Sequence, residues 1–206
     1  MSKKKFKIEV PEGAEKVLLH TCCAPCSSAI VEWMMNNQVK PVLYYSNSNI
    51  YPRDEYEKRK RECIRMAEEL GIEFAEGQYD HEGWRKRVRG MEKEPERGIR
   101  CQECFRIRLE DALDYADKHN ISQVTTALAS SRWKSLEQVA AAGIAAAEGH
   151  NAGYWNQNWR KGGLQDRRNA LTRQFNFYNQ QYCGCEFSLA ERKRYERLHP
   201  DSQSKD

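Results

Sequence analysis

Val17-Leu-Leu-His20-Thr-Cys22-Cys23-Ala-Pro-Cys26 decides how the chain is read. Residues 17–20 form a short apolar run, predicted as a buried strand, that leads directly into three cysteines. Ala29, Ile30, Trp33 and Met34 then recur at helical spacing, predicting a helix from about Ser27. A strand that ends in a cysteine turn and is followed by a helix is the opening unit of a parallel α/β sheet.

The rest of the chain repeats the alternation. Residues 41–45 and 72–75 read as strands, with a charged amphipathic helix over 54–70 closed by Gly71 between them. A short helix is predicted over 82–91, and a longer one over 104–119 with Phe105, Leu109, Ala112, Leu113 and Ala116 as its apolar stripe. A strand over 123–128 and a helix over 136–147 follow. Residues 165–178 and 189–198 read as a polar and a basic helix. The expected fold is α/β, a mostly parallel sheet with flanking helices and right-handed crossovers. The expected organisation is a single domain over 1–206, with its core at about 16–188 and flexible ends at 1–8 and 200–206. The less regular 150–185 block reads as a lid. Ligand sites in such sheets lie beyond the carboxyl ends of the strands, where the first cysteines and Asn47, Asn49 and Tyr51 fall.

The chain has 206 residues, 39% hydrophobic and 31% charged, with a formal net charge of +4. No apolar run approaches the roughly 20 residues of a membrane span, and the basic start lacks the apolar segment of a secretory signal. A cytoplasmic, reducing location without membrane is expected, where clustered thiols favour metal or redox chemistry over structural disulfides. The mild basicity permits a nucleic-acid partner without demanding one.

Seven of the eight cysteines fall in three remote clusters: Cys22, Cys23 and Cys26; Cys101 and Cys104; Cys183 and Cys185. Seven thiols exceed one tetrahedral site. Cys23/Cys26 and Cys101/Cys104 could make a four-cysteine zinc site, but Cys22 and the third cluster would be left over. The surplus favours an iron–sulfur or multi-metal centre. Cys183-Gly-Cys185 reads either as a redox-active pair, its strained ring easily reduced, or as a source of another metal ligand. Cys63 reads as a buried, inert thiol.

Other residues carry two readings each. Asn47, Asn49 and Tyr51 could bind a polar ligand or simply form a turn. Arg100, Arg108 and Lys134 could sit by the thiolates or on solvated helix faces. Asp80 could be an acid or a metal ligand, and on local grounds an N-cap. The basic stretches 85–89, 155–161 and 192–194, the second with Tyr154, Trp155 and Trp159, have the composition of single-stranded RNA contacts or of wet surface.

Taken in order, Leu-Leu-His20-Thr-Cys22-Cys23-Ala-Pro-Cys26-Ser, Asn47-x-Asn49-Ile-x-Pro-x-x-Glu55-Tyr56-x-x-Arg59, Arg100-Cys101-x-x-Cys104-Phe-x-x-Arg108-Leu, Thr125-Thr126-x-Leu-x-x-Ser131-x-x-Lys134 and Tyr182-Cys183-Gly-Cys185-x-x-Ser188 resemble the cobalamin-independent epoxyqueuosine reductase family. The resemblance runs from about residue 16 to 188, and Cys63 is an extra cysteine that it does not need. It implies an oxidoreductase that reduces the epoxide of epoxyqueuosine at the tRNA wobble position to queuosine, the last step of that modification. It also implies a [4Fe-4S] cluster with an additional iron nearby, and a fold similar to the nucleotide-binding α-hydrolase-like group. On this resemblance Cys22, Cys23, Cys101 and Cys104 are expected as cluster ligands, Cys26 at the second metal, and Cys183 and Cys185 as the redox-active pair. Asp80 is carried as a catalytic candidate, and Asn47, Asn49, Tyr51, Arg108 and Lys134 as substrate contacts. The partners are epoxyqueuosine-containing tRNA through its anticodon region and an electron donor the sequence does not identify. The competing class is a zinc-stabilised RNA-binding module without catalysis.

Overall fold

A computed structural model describes residues 8–199; of the ends expected to be flexible, 1–8 and 200–206, residues 1–7 and 200–206 lie outside the described residues, while Ile8 is buried in the core. Five strands form one parallel sheet: β1 (Lys16–Thr21), β2 (Lys40–Tyr45), β3 (Glu73–Glu76), β4 (Gln123–Thr126) and β5 (Gly153–Tyr154). Their order is β3-β2-β1-β4-β5. Every pairing is parallel. Val17, Leu18 and Leu19 of β1 and Leu43 of β2 are fully buried, which is the continuous apolar strand a doubly covered sheet requires.

Helices α1 (Ala24–Asn36) and α2 (Arg53–Leu70) follow β1 and β2; α3 (His81–Arg87) and α4 (Ile99–Lys118) connect β3 to β4; α5 (Leu136–Ala147) lies between β4 and β5. Helix α6 (Leu164–Gln174) packs on α1, while α5 packs on α4. The chain reverses its direction across the sheet between β1 and β4, so the crevice at their carboxyl ends is the switch point of the topology. His20 spans it. Its Nδ1 lies 2.8 Å from Thr126 Oγ1 and its Nε2 3.1 Å from the Ser46 carbonyl. A carbonyl only accepts, so Nε2 carries the proton and Nδ1 accepts from the threonine. Burial, with Arg108 nearby, pushes the His20 pKa down to about 3. The ring is therefore a neutral crosslink.

Five boundaries differ from expectation by three residues or more, three of them near cysteines; one of the other two is the end of α3, at Arg87 rather than 91. Helix α1 starts at Ala24, with Pro25 in its first turn and Cys23 as N-cap; a proline there already has helical φ. Helix α4 starts at Ile99, five residues early, behind Gly98. Helix α7 (Glu186–Leu198) starts at Glu186, because Cys185 caps it through Ser188 N. Helix α6 ends at Gln174, short of the expected 178.

Trp155 and Trp159 are core residues rather than RNA contacts, which corrects the reading of that stretch. They are 7% and 0% exposed. They pack edge-to-face on each other at 5.0 Å; Trp159 meets Trp33 edge-to-face at 5.7 Å and Trp155 meets it tilted at 6.1 Å. Trp159 Nε1 donates to Thr125 Oγ1 at 3.0 Å. Burying an indole needs both this packing and a partner for its N–H. Trp159→Ala is expected to destabilise the protein by about 3–5 kcal/mol, and Trp133→Ala, at a 66% exposed position, by less than about 0.5 kcal/mol. Urea denaturation of both variants reads the difference.

Candidate thiol-lined centre

Cys22 and Cys23 occupy the β1–α1 turn, and Cys26 lies in the first turn of the 13-residue helix α1. Their sulfurs lie within 4.8 Å of one another. All eight cysteines, Cys183 and Cys185 included, are free thiols. A helix N-terminus favours thiolate. Cys22 is held well below the usual thiol range, first by hydrogen bonds from Cys23 and Cys26, with Arg108 and Lys134 adding to them. Cys23 and Cys26, which supply those protons, are correspondingly raised.

Helix α4 brings the second cluster. Cys101, Cys104 and Arg108 are spaced i, i+3, i+7 and therefore share one face. The early start of α4 matters here, because it puts Cys101 inside the helix and in line with Cys104. The Arg97 backbone N–H donates to Cys101 Sγ at 3.3 Å. Cys104 packs with Trp84, Val88 and Cys185 in a small apolar cluster, and burial pushes its thiol up to about 12.

The third cluster is strapped down. Arg59, with no exposed side-chain surface, pairs with Glu55 at 2.7 Å and donates to the carbonyls of Cys183 at 3.1 Å and Tyr182 at 3.2 Å. Tyr51 N donates to Gly184 O at 2.8 Å, and Tyr182 Oη to Tyr51 O at 2.6 Å. Gly184 has φ +131°, and a Cβ there would stand 3.1 Å from Ile50 and 3.2 Å from Arg59. Only glycine fits that backbone and that gap.

Two cations complete the centre. Arg108 is 3% exposed. Its Nη2 donates to Asn47 Oδ1 at 2.5 Å, and its Nε has no partner. Asn47 in turn donates to Thr21 O at 2.8 Å. Lys134 Nζ donates to Cys183 Sγ at 3.6 Å. Burial alone would lower both cations, yet both are held raised: Arg108 by Cys104, Cys22 and Cys183, Lys134 by Cys183 and Cys22. Neither has a carboxylate partner among the described residues. An isolated buried charge costs several kcal/mol, so the counter-charge must come from the thiols.

Cys22, Cys26, Cys101, Lys134 and Cys183 line one cavity of about 600 Å³. The expected residues divide as follows. Asn47 and Arg108 form a buried pair next to the Cys22 and Cys104 thiols and are not among the cavity-lining residues. Asn49 is buried, with its Oδ1 unpartnered. Tyr51 is 43% exposed and stacks on His81 at 5.4 Å. Asp80 caps α3, accepting from Gly83 N at 2.8 Å, and is not among the cavity-lining residues. Arg100 is buried, its Nη1 holding the carbonyls of Met91, Glu92 and Glu94. Cys63 is fully buried, as read from the sequence. Sequence reasoning missed Gln180, which donates to Cys23 Sγ at 3.1 Å, and the Arg59 strap; the Glu55-x-x-x-Arg59 spacing is the signal that marks the strap.

These donors suit an anionic iron–sulfur group. Five soft thiols come from two segments near helix N-termini, and the buried Arg108 and half-buried Lys134 have no carboxylate counter-charge among the described residues. Fold and site together define a class, an α/β protein with a thiol-lined centre fit for an iron–sulfur cluster. The family model described as "Epoxyqueuosine reductase QueH" matches residues 17–191, and the chain belongs to that family. The Epoxyqueuosine reductase QueH of Haemophilus influenzae is 44% identical over 92% of this chain and 78% of its own length. That of Acinetobacter baylyi is 42% identical over 95% and 90%, and that of Thermotoga maritima 30% over 86% and 92%. A U34-tRNA thiolase NcsA from Methanococcus maripaludis, solved with its [4Fe-4S] cluster, overlaps 91% of this chain and 66% of its own at 13% identity and a TM-score of 0.45, too distant a likeness to carry weight.

Two outcomes test this geometry. In the metal-free protein, iodoacetamide labelling of Cys22 is expected to stay nearly flat between pH 6.5 and 8. An ordinary thiol, with a pKa of about 8.5, would gain roughly tenfold per unit. Arg108→Met should restore part of that slope, read by mass spectrometry of the labelled peptide. Gly184→Ala is expected to cost at least about 1 kcal/mol from its backbone alone and to raise the labelling rates of Cys183 and Cys185.

Proposed function

We propose that the chain is an epoxyqueuosine reductase that converts the epoxide of epoxyqueuosine, at the wobble position of tRNA, to the cyclopentene of queuosine. The observation that carries this reading is the convergence of Cys22, Cys101 and Cys183, one from each cluster, with Lys134 in a single cavity at the sheet's switch point, in a chain of this family. Cys22, Cys23, Cys101 and Cys104 would hold the [4Fe-4S] cluster, leaving Cys26 for an additional iron. Bound there, such a centre supplies single-electron transfer and a Lewis acid for the epoxide oxygen.

The chain's own residues handle the electron pair and the protons. Reduction of the epoxide takes two electrons and two protons: both C–O bonds break, the alkene forms and the oxygen leaves as water. The Cys183 and Cys185 thiols can supply both, closing to a disulfide that an external electron donor reopens. The Arg59 strap and Gly184 hold the pair against the cavity. Lys134, whose Nζ donates to Cys183 Sγ, can relay one of the two thiol protons to the departing oxygen. Arg108, held by Asn47, places a positive charge beside Cys22. A thiol centre of this kind needs a reducing compartment, and the reading places the protein in the cytoplasm. Among the described residues no helix is long and apolar enough to cross a membrane.

The test is anaerobic purification with iron, zinc and acid-labile sulfide analysis, followed by assay on epoxyqueuosine-containing tRNA. About four or five irons with sulfide are expected, with conversion to queuosine. Cys22→Ser should lose the iron and sulfide, whereas Cys183→Ser should keep both and lose turnover. About one zinc per chain without sulfide, and no conversion, would instead match a zinc-stabilised RNA-binding module.

A further inference from the structure

Trp133 is 66% exposed, while Trp84, Trp155 and Trp159 are buried and Trp33 is packed against the last two. Single exposed apolar side chains are ordinary on protein surfaces, so exposure alone means little. Three further observations set this residue apart. It lines the mouth of the thiol cavity, as does Tyr195, which is 52% exposed. Its backbone is clamped: Arg97 Nε donates to Trp133 O at 3.0 Å, Arg160 Nη2 to Lys134 O at 2.6 Å and also to Ser131 O, and Gln165 Nε2 to Ser130 O at 2.8 Å. Gln138 Nε2 anchors the clamp itself through Arg97 O at 2.6 Å. Finally, the Arg132 guanidinium sits 5.0 Å from the indole centroid.

A loop pinned this firmly presents its indole face at little further ordering cost. The rim around it mixes Arg97 and Arg192 with Glu96 and Glu191, so charge alone does not choose the partner. A flat, rigid, cation-flanked aromatic surface matches an unpaired nucleobase, because every base has a π-face and the flanking guanidinium suits the neighbouring phosphate.

We propose that Trp133 is a stacking platform for an unpaired nucleobase next to the modified nucleotide, holding the anticodon loop at the cavity mouth while the modified base reaches the thiols. The proposal rests on the tRNA reading above. Stacking and reduction are separate acts, so their failures can be told apart.

Anisotropy of a fluorescein-labelled anticodon stem–loop RNA carrying epoxyqueuosine, titrated with anaerobic holoprotein at fixed salt, reads the platform directly. Trp133→Ala and Trp133→Leu are expected to weaken binding by roughly 5- to 150-fold, the range for loss of one base–aromatic stack. Trp133→Phe should stay within about threefold of the parent. Iron content and melting temperature, measured on each variant, check that the fold is kept. Unchanged affinity in the alanine and leucine variants would overturn the proposal. So would leucine binding as well as phenylalanine, since that is apolar burial, the behaviour of a protein-docking residue. If the parent binds the RNA in a Trp133-dependent way yet makes no queuosine, the reductase reading fails and the platform stands. If it makes queuosine with an affinity indifferent to Trp133, the platform alone fails.

Discussion

A guanidinium buried among thiols is the constraint on which the rest of the site depends. Arg108 is 3% exposed and bonded to Asn47 and Cys22, with no carboxylate partner among the described residues. Desolvating such a cation costs several kcal/mol. The fold tolerates it because the Cys22 thiolate faces it, with Cys104 and Cys183 alongside. The compensation is mutual: Arg108 and Lys134 help to keep the Cys22 thiolate ionised, and the thiolate keeps the cations acceptable. A centre built this way is poised for an anionic group before that group arrives.

The sheet explains why the parts meet. Cys22, Cys23 and Cys26 follow the central strand β1, and Asn47 follows its neighbour β2. Helix α4 carries Cys101, Cys104 and Arg108 on one face, towards those strand ends. His20, neutral and bonded to Thr126 and Ser46, locks β1 to the ends of β4 and β2. The Cys183-Gly184-Cys185 segment belongs to no strand. It is placed from outside, by Arg59 and by the Tyr51–Gly184 backbone bond.

Much of this was legible in the chain itself. A buried apolar strand running into clustered cysteines fixes both the sheet and the position of the site, because thiols at a strand's carboxyl end have few other uses. The helix starts near cysteines were harder. Gly98 and Cys23 cap without a side-chain hydrogen bond and Cys185 caps through sulfur, so the usual serine or aspartate signal is missing. Strand β5 has two residues, too few for any alternation to register. Trp155 and Trp159 looked like RNA contacts because composition records aromatics and cations but not which way they face. Trp133, whose only sequence mark is its place between Arg132 and Lys134, is the exposed one.

The central claim is that thiols from both the β1–α1 turn and α4 hold one iron–sulfur group. Anomalous scattering at the iron edge, from crystals of anaerobically reconstituted protein, addresses it most directly. The account expects a compact group of iron peaks bonded to Cys22, Cys23, Cys101 and Cys104, at about 2.3 Å from sulfur if metal–thiolate bonds match those of zinc. A lone peak at the zinc edge among Cys22, Cys23 and Cys26, with Cys101 and Cys104 unbonded, would contradict it.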